Sequence, residues 1–360
     1  METSYYTSDN KSAVEARFEA QQIAFAPFTF QAAVAMRNLG LLEVLLKNCG
    51  NGLSIEELSE KCNVSIYGVR VLTDIGLGSG ILKYDENEKL ILSKTGYFLA
   101  DDYLTKVNID FMNDVCYDGA KYLEDSIRNS KPEGLKIFGD KWNTIYEALS
   151  QLPKKAQDSW FAFDHNYSDN IFPETLDIVF ANKPAKLYDI GGNTARWALT
   201  CVKHDPDVKV TIIDLPGQTA MAEKNIAKEG FSNRINTCPL NMLDPATKIP
   251  EGADVVWMSQ FLDCFSENEI TSIAKKVSEA ISDKTVVYVL EPLIDRQRFR
   301  ASSFCLQATS LYFTCMANGN SRMYTYDVIV KAIEKGGLKL ETTHNNLGIF
   351  SYTLLAFRRA

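Results

Sequence analysis

Two aspartates and a pair of glycines stand at spacings that suit the binding of a nucleoside. Asp189 lies at the end of the run Lys186-Leu-Tyr-Asp-Ile190, Gly191 and Gly192 follow it, and Asp214 closes the next apolar run, Val208-Lys-Val-Thr-Ile-Ile-Asp214. A strand, a glycine turn, a helix and a second strand ending in a carboxylate is how an α/β sheet grips a nucleoside. The glycines let a ligand approach the backbone where any Cβ would collide. Asp214, about 25 residues after Asp189, is placed to accept hydrogen bonds from both ribose hydroxyls. A second group of residues is aromatic. Trp160, Phe163 and Tyr167 recur on one face of a helix, which either packs as core or walls a pocket for a planar ligand. His165 on the same segment is a candidate base, with a structural histidine as its plainer reading.

The elements that must hold these residues fall into two regimes. Over 13–105 the pattern is short helices followed by a hairpin. Ala32–Leu46 reads as an apolar helix broken by glycine. Leu53–Cys62 opens with Ser54 and Glu57 in a capping box, and Val64–Leu77 is a third helix. Ile81-Leu-Lys-Tyr84 and Lys89-Leu-Ile-Leu-Ser93 flank Asp85-Glu-Asn-Glu88 as a two-stranded wing. Three helices and a wing make a winged helix. From Lys186 onward strands alternate with helices, with strands expected near 186–190, 208–213, 235–239, 254–258 and 286–290. Leu338–Thr343 and Phe350–Arg358 read as a closing antiparallel pair, and Asp327 reads as the cap of a helix over 328–335. The chain therefore divides into a winged-helix domain (1–105), a helical connector that supplies pocket wall (106–180) and an α/β domain (181–360).

Composition excludes several function classes. The net charge is -8 over 360 residues, whereas a nucleic-acid binder needs a basic footprint. The winged-helix segment carries roughly eight basic against twelve acidic residues, and Arg70 is the one cation on its would-be recognition helix. A protein-contact role is the better expectation there. Eight scattered cysteines with no C-x-x-C pair read as reduced thiols, with no metal site. The N-terminus lacks a signal pattern and no run is long enough to span a bilayer, so a cytoplasmic protein is expected, with no membrane partner.

The layout resembles the S-adenosylmethionine-dependent O-methyltransferases of the caffeate and polyketide type. Asp189-Ile-Gly-Gly-Asn-Thr-Ala195 sits where that family has D-x-G-G-G-x-G, and an acidic residue ahead of the glycines marks S-adenosylmethionine sites. Asp214-Leu-Pro-Gly217, Leu240-Asn-Met-Leu-Asp244, Met258–Glu269 and Val289-Leu-Glu-Pro292 match further family motifs in order. The resemblance implies an α/β fold with a Rossmann-like sheet and a closing antiparallel strand, preceded by a mostly helical winged-helix domain that dimerises. It implies S-adenosylmethionine held by Asp189, Gly191, Gly192, Asp214, Leu215, Asn241 and Met242. It also implies a small aromatic acceptor in a pocket to which Trp160, Phe163, Tyr167, Phe304 and Tyr312 contribute, and a homodimer. The wording at 259–267 is similar to methyltransferases of aryl-polyene pigment clusters, which implies a phenolic head group methylated at oxygen or at ring carbon.

Two departures matter. Asn193 and Ala195 replace glycines, and Asp263 stands where relatives place their catalytic histidine. The resemblance puts Asp263 and Glu291 face to face beside the methyl donor. Two close carboxylates repel, so one holds its proton to a raised pH, and a carboxylate tuned upward acts as general base on a phenol or enol. Asp263 is thus the first candidate base, with Glu291 beside it and His165 the alternative. The competing readings are a homologue that binds S-adenosylmethionine without transferring methyl, a metabolite-sensing winged-helix regulator, and a nicotinamide-dependent dehydrogenase.

Overall fold

The computed structural model describes residues 4–360. The chain divides into two compact units, one running to Val115 and the other from Cys116 to Ala360. The connector expected over 106–180 is therefore split, and all but its start packs with the α/β unit.

The first unit is the winged helix that its periodicity predicts, extended at both ends. Helices α1 (Ala13–Ala24), α2 (Ala26–Asn38) and α3 (Leu41–Lys47) are followed by α4 (Ile55–Cys62) and α5 (Ile66–Gly78). The glycine break is Gly40, whose φ of 82° turns the chain between α2 and α3. Ser54 and Glu57 form the capping box on α4 in both directions. Strands β1 (Leu82–Tyr84) and β2 (Leu90–Leu92) pair antiparallel as the wing. Met36, Leu41, Leu42, Leu58, Val69 and Leu90 form the core. Helices α6 (Lys94–Asp101) and α7 (Tyr103–Phe111) complete the unit.

The second unit is built on a seven-stranded sheet in the order β5-β4-β3-β6-β7-β9-β8. Strands β3 (Lys186–Ile190), β4 (Lys209–Asp214), β5 (Ile235–Pro239), β6 (Val255–Ser259) and β7 (Val286–Glu291) are mutually parallel. Parallel strands are covered on both faces and read as continuous apolar runs, which is why their positions are legible in sequence. The C-terminal pair, β8 (Leu338–Leu347) and β9 (Tyr352–Arg359), closes the sheet, β9 lying antiparallel between β7 and β8. Helices α8 (Lys154–Ser168) and α9 (Phe172–Val179) precede the sheet. Helices α10 (Arg196–His204), α11 (Pro216–Glu229), α12 (Glu267–Ala280), α13 (Arg300–Tyr312) and α14 (Tyr326–Lys335) connect or follow its strands.

Each face of the sheet has its own core. One gathers Tyr188, Val256, Met258 and Val289 with Ile270, Ile273 and Val277 of α12 and Ile329 and Ile333 of α14. The other gathers Leu187, Ile212, Trp257 and Tyr352 with Trp197, Ala198 and Cys201 of α10. In the second core Trp197 and Trp257 stack with ring centroids 4.2 Å apart. One expectation fails on this side of the chain. Asp327 does not cap α14: the N-cap is Thr325 and its side chain makes no capping bond. The cap comes from a distant carboxylate, because Asp295 Oδ1 accepts from the Tyr326 amide at 2.9 Å. Asp327 instead lies in the first turn, where its charge suits the helix dipole.

The stacked tryptophans give the first prediction. Trp257 is fully buried, and truncating such a side chain to alanine costs about 3–5 kcal/mol through lost contacts and an unfilled cavity. Trp257→Ala should therefore lower the urea midpoint of the α/β unit, read by far-UV dichroism, while the Leu-rich core of the first unit is untouched. A loss below about 1 kcal/mol would show that the sheet face collapses around the gap.

Candidate functional site

The strand order reverses between β3 and β6, and a parallel sheet opens its ligand crevice at such a switch point, outside the carboxyl ends of the strands. The glycine turn lies there. Gly191 has φ +80°, and a Cβ on it would stand 2.3 Å from Phe261 Cδ2. A Cβ on Gly192 would stand 2.6 Å from Asp189 Oδ2. Both positions thus require glycine, one for conformation and contact and one for contact alone. The two replacements keep the backbone path of a glycine turn: Asn193 has φ 46° and Ala195 φ 72°. Left-handed backbone costs a non-glycine residue about 1–2 kcal/mol, so the turn carries strain that the surrounding sheet over-determines.

Burial without compensation governs the charges at this turn. Asp189 is buried, and desolvation first, then the neighbouring Asp214, pushes its pKa up to about 8. Its Oδ2 has no hydrogen-bond partner. Asp214 is raised to about 6 by desolvation, offset by the amides of Asn193 and Leu215, which donate to Oδ2 at 2.9 Å and Oδ1 at 2.7 Å. The turn after β3 and the end of β4 are in this way fastened together through one carboxylate.

On the far side of the crevice stands the second acidic pair. Asp263 sits on a short 3-10 turn, Leu262–Cys264, and Glu291 ends β7. The amides of Phe261 and Leu262 donate to Glu291 Oε1 at 3.1 and 2.9 Å, which seats the turn on the strand end. Both carboxyls are buried. Burial pushes Asp263 up to about 6, and the Cys264 thiol, which donates to Asp263 Oδ1 at 3.4 Å, opposes that rise. Glu291 is pushed further up by burial and then by the charge of Asp263. Of the two, Glu291 is the one held protonated to the higher pH, and its Oε2 has no partner. Asn318 Nδ2 donates to the Cys264 carbonyl at 2.8 Å and Tyr324 Oη to the Phe265 carbonyl at 2.6 Å, so the turn is held from a second direction.

The other expected site residues are placed unevenly. His165 lies away from this pair: its Nε2 is 3.3 Å from Thr194 Oγ1 and its Nδ1 3.3 Å from an Arg196 nitrogen, both on the glycine-turn side. Trp160 and Tyr312 are joined, the indole donating to the phenol oxygen at 2.7 Å. Phe163 packs against Tyr167, and Tyr167 against Phe350, with tilted rings whose centroids are 4.8 Å apart in each pair. Phe304 does not join that cluster and is 67% exposed. Met242 packs into the sheet core. Asn241 is exposed, and its Oδ1 closes its own turn by accepting from the Leu243 amide at 2.9 Å, which leaves its NH2 outward.

Several residues at the crevice have no sequence signal. Ser259 Oγ and Gln260 Nε2 are buried without partners where β6 ends, and Gln260 has φ 47°. Tyr146 Oη is buried beside the Cys264 thiol. Tyr352 of β9 places its hydroxyl 2.7 Å from the Tyr167 carbonyl and 3.0 Å from Gln260 Oε1. Unpaired buried polar atoms are rare in folded proteins, and Asp189 Oδ2, Ser259 Oγ, Gln260 Nε2 and Glu291 Oε2 lie at the carboxyl ends of β3, β6 and β7. That set fits S-adenosylmethionine: Asp214 suits a ribose, a glycine cradle admits a ligand at the backbone, and unsatisfied acceptors suit a cationic tail. Among the described residues no group of three or more His, Cys, Asp or Glu is placed to hold a metal.

The raised carboxyls make a pH prediction. Asp189, Asp214 and Asp263 sit near 8, 6 and 6 in the folded protein against an ordinary 3.8. Between these values the folded protein holds more protons than the unfolded chain, so stability is fullest at low pH and falls as pH rises through the folded values. The thermal midpoint of the ligand-free protein should drop from about pH 5 to about pH 8.5. Asp189→Asn should flatten the upper part of that slope, and a flat wild-type profile would show that the carboxyls are compensated.

Comparison with known proteins bears on both units. A Dimerisation2-like domain matches residues 17–90, and an O-methyltransferase domain matches residues 121–332. The L-tyrosine C(3)-methyltransferase of Streptomyces lavendulae is 22% identical over 322 residues, covering 89% of this chain and 86% of that protein. The acetylserotonin O-methyltransferase of Gallus gallus is 24% identical over 277 residues, covering 72% and 75%. In fold, the chain is similar to an O-methyltransferase from neocarzinostatin biosynthesis solved with S-adenosylmethionine and 2-hydroxy-5-methyl naphthoic acid. The TM-score is 0.67 at 17% identity, covering 92% of this chain and 96% of that one. With the domain match spanning more than half of its length, the chain belongs to the O-methyltransferase domain family of S-adenosylmethionine-dependent methyltransferases.

Proposed function

We propose that this enzyme methylates a hydroxyl on a small aromatic or polyketide-like acceptor, with Asp263 as general base. The observation that carries the assignment is the buried pair Asp263 and Glu291 at the strand ends, where burial raises both carboxyls and the charge of Asp263 raises Glu291 further. S-adenosylmethionine, when bound, supplies an activated methyl group. Asp189, Gly191, Gly192, Asp214 and Leu215 would hold it, with Asn241 and Met242 at the adenine end. The protein groups then have a limited task, because alignment of the reacting atoms contributes much of the acceleration. Asp263, desolvated and near pKa 6, takes the hydroxyl proton as the oxygen becomes nucleophilic. Protonated Glu291 lowers the repulsion that a second ionised carboxylate would impose on the developing oxyanion. Trp160, Phe163, Tyr167 and Tyr312 offer flat apolar surface to the ring, whereas the exposed Phe304 stands apart from them. His165, bonded at the glycine turn, supports the turn in this reading and is not the base.

A second reading keeps the site and changes the receiving atom. Removal of a phenol proton makes the ortho ring carbon nucleophilic as well as the oxygen. The likeness to an L-tyrosine C(3)-methyltransferase along 89% of the chain favours testing ring carbon. The motif at 259–267, similar to aryl-polyene cluster methyltransferases, favours a phenolic head group for either atom.

Winged-helix residues are proposed to make a homodimer. Helix α1 has no buried residue, yet Val14, Phe18, Ile23, Phe25 and Phe28 are each more than half exposed on α1, α2 and the residue between them. Apolar surface on that scale marks a protein contact, and a Dimerisation2-like domain covers it. Ile23→Asp with Phe28→Asp should shift sedimentation from dimer to monomer. An unchanged dimer would place the interface elsewhere.

The base is tested with S-adenosylmethionine and a panel of phenols, the products being separated as methyl ethers and ring-methylated phenols. Asp263→Asn should lower turnover about 10²–10⁴-fold while S-adenosylhomocysteine affinity stays within about twofold. The wild-type rate should rise with pH through about 6 as Asp263 ionises. Unchanged turnover in Asp263→Asn removes that residue from the mechanism.

A further inference from the structure

Cys264 follows Asp263 on the same 3-10 turn, and three elements converge on it. Its thiol donates to Asp263 Oδ1 at 3.4 Å, a contact between a weak donor and a carboxylate. Its carbonyl accepts from Asn318 Nδ2 at 2.8 Å, so the backbone that carries the thiol is fixed from the segment after α13. The Tyr146 hydroxyl lies beside the sulfur on the helical turn Ile145–Ala148 and donates to it, which lowers the thiol and raises the phenol. Burial still holds both well above their ordinary values, so each keeps its proton at neutral pH. Tyr146 is itself anchored, because Gln218 Nε2 of α11 donates to its carbonyl at 3.0 Å. Neutral donors thus run in one direction, from phenol to thiol to carboxylate.

A comparison within the chain shows what such donors change. Asp189 and Asp263 are both buried aspartates. Asp189 is pushed up to about 8 by burial and then by the charge of Asp214, and its Oδ2 has no partner. Asp263 stands at about 6, with the Cys264 thiol and then its amide opposing the effect of burial. The other titratable groups around Asp263 are Glu291 of β7, Tyr352 of β9 and Tyr324 ahead of α14. Burial raises each of these first, and none of them brings a positive charge to Asp263. We propose that Cys264 and Tyr146 are positioning residues for the base: the Tyr146 hydroxyl orients the Cys264 thiol, and the thiol keeps the Asp263 carboxylate ionised and in one orientation. A hydroxyl behind the thiol polarises the S–H bond and makes it a better donor. This inference rests on the assignment of Asp263 as base and adds the two residues that act through it.

The test is a carbon-13 titration of the full-length protein labelled at its aspartate side-chain carboxyls, the Asp263 signal being identified by its loss in Asp263→Asn. The wild-type signal should titrate near pH 6. Cys264→Ala should raise that midpoint by about one pH unit, a tenfold weaker acid, because the ionised form loses a donor. Cys264→Ser supplies a donor again and should bring the midpoint back to within about 0.3 unit of the wild type. Tyr146→Phe should raise it by about half a unit, and it keeps the ring, so the chain of donors is still read if the alanine variant fails to fold. The pH dependence of turnover with a phenol that the wild type methylates should move by the same amounts. A Cys264→Ala midpoint equal to that of the wild type overturns the proposal. So does an equal displacement by alanine and serine, since packing alone would then set the carboxyl, and an unmoved Tyr146→Phe midpoint overturns the role of Tyr146. Turnover in Asp263→Asn separates the two levels. Lost turnover there with an unmoved Cys264→Ala midpoint overturns this inference alone, whereas unchanged turnover overturns the base assignment and this inference with it.

Discussion

Uncompensated burial of carboxyl groups at the ends of parallel strands is the constraint on which the rest of this structure depends. Asp189, Asp263 and Glu291 are buried, and no lysine or arginine is hydrogen-bonded to them in the described contacts. Desolvation alone would neutralise all of them. What separates their behaviour is the local supply of donors. Asp214 and Glu291 each take two backbone amides on one or both oxygens, while Asp189 Oδ2 takes none. The folded protein holds these groups at a cost in stability, and the crevice between β3 and β6 is where that cost is met.

The sheet makes this possible because its two cores leave the strand ends rigid. β7 is buried along its full length, flanked by β6 on one side and β9 on the other. Its last residue, Glu291, is thus held where the following chain must leave the sheet. The turn bearing Asp263 then hangs from Glu291 through two amides and is steadied by Asn318 and Tyr324. Antiparallel β9 also brings Tyr352 to the same end of the sheet, which a purely parallel sheet would not. Burial lifts the Asp263 carboxyl to about 6, toward the range that an imidazole has in water.

Strain is placed with the same economy. The turn after β3 contains left-handed residues at Gly191, Asn193 and Ala195, and the end of β6 has another at Gln260. These face one another across the switch point. Phe261 packs against Gly191 so closely that no side chain could stand there. The closing pair β8 and β9 is irregular as well, with register shifts between Leu340 and Thr342 and between His344 and Leu347 and a left-handed Asn346.

The sequence alone determined the architecture and where the residues proposed for the site fall along it. Strands buried on both faces must be apolar runs, so β3 to β7 could be read directly. The capping box on α4 and the break at Gly40 were legible because their causes lie within a few residues. The positions of Asp189, the two glycines and Asp214 were readable for the same reason: each sits at a fixed offset from its own strand. The tertiary structure decided what depends on distant partners. Asp295 caps α14 in place of Asp327 because the chain returns to that helix from β7. The pairing of His165 with Thr194, and of Asn193 with Asp164, spans about thirty residues and follows from how α8 lies on the glycine turn. Unpaired atoms at Ser259 and Gln260 have no local signature, since a missing partner is a property of the whole surrounding fold. The upward shifts of Asp189, Asp263 and Glu291 likewise come from burial, which a residue's type and spacing do not contain.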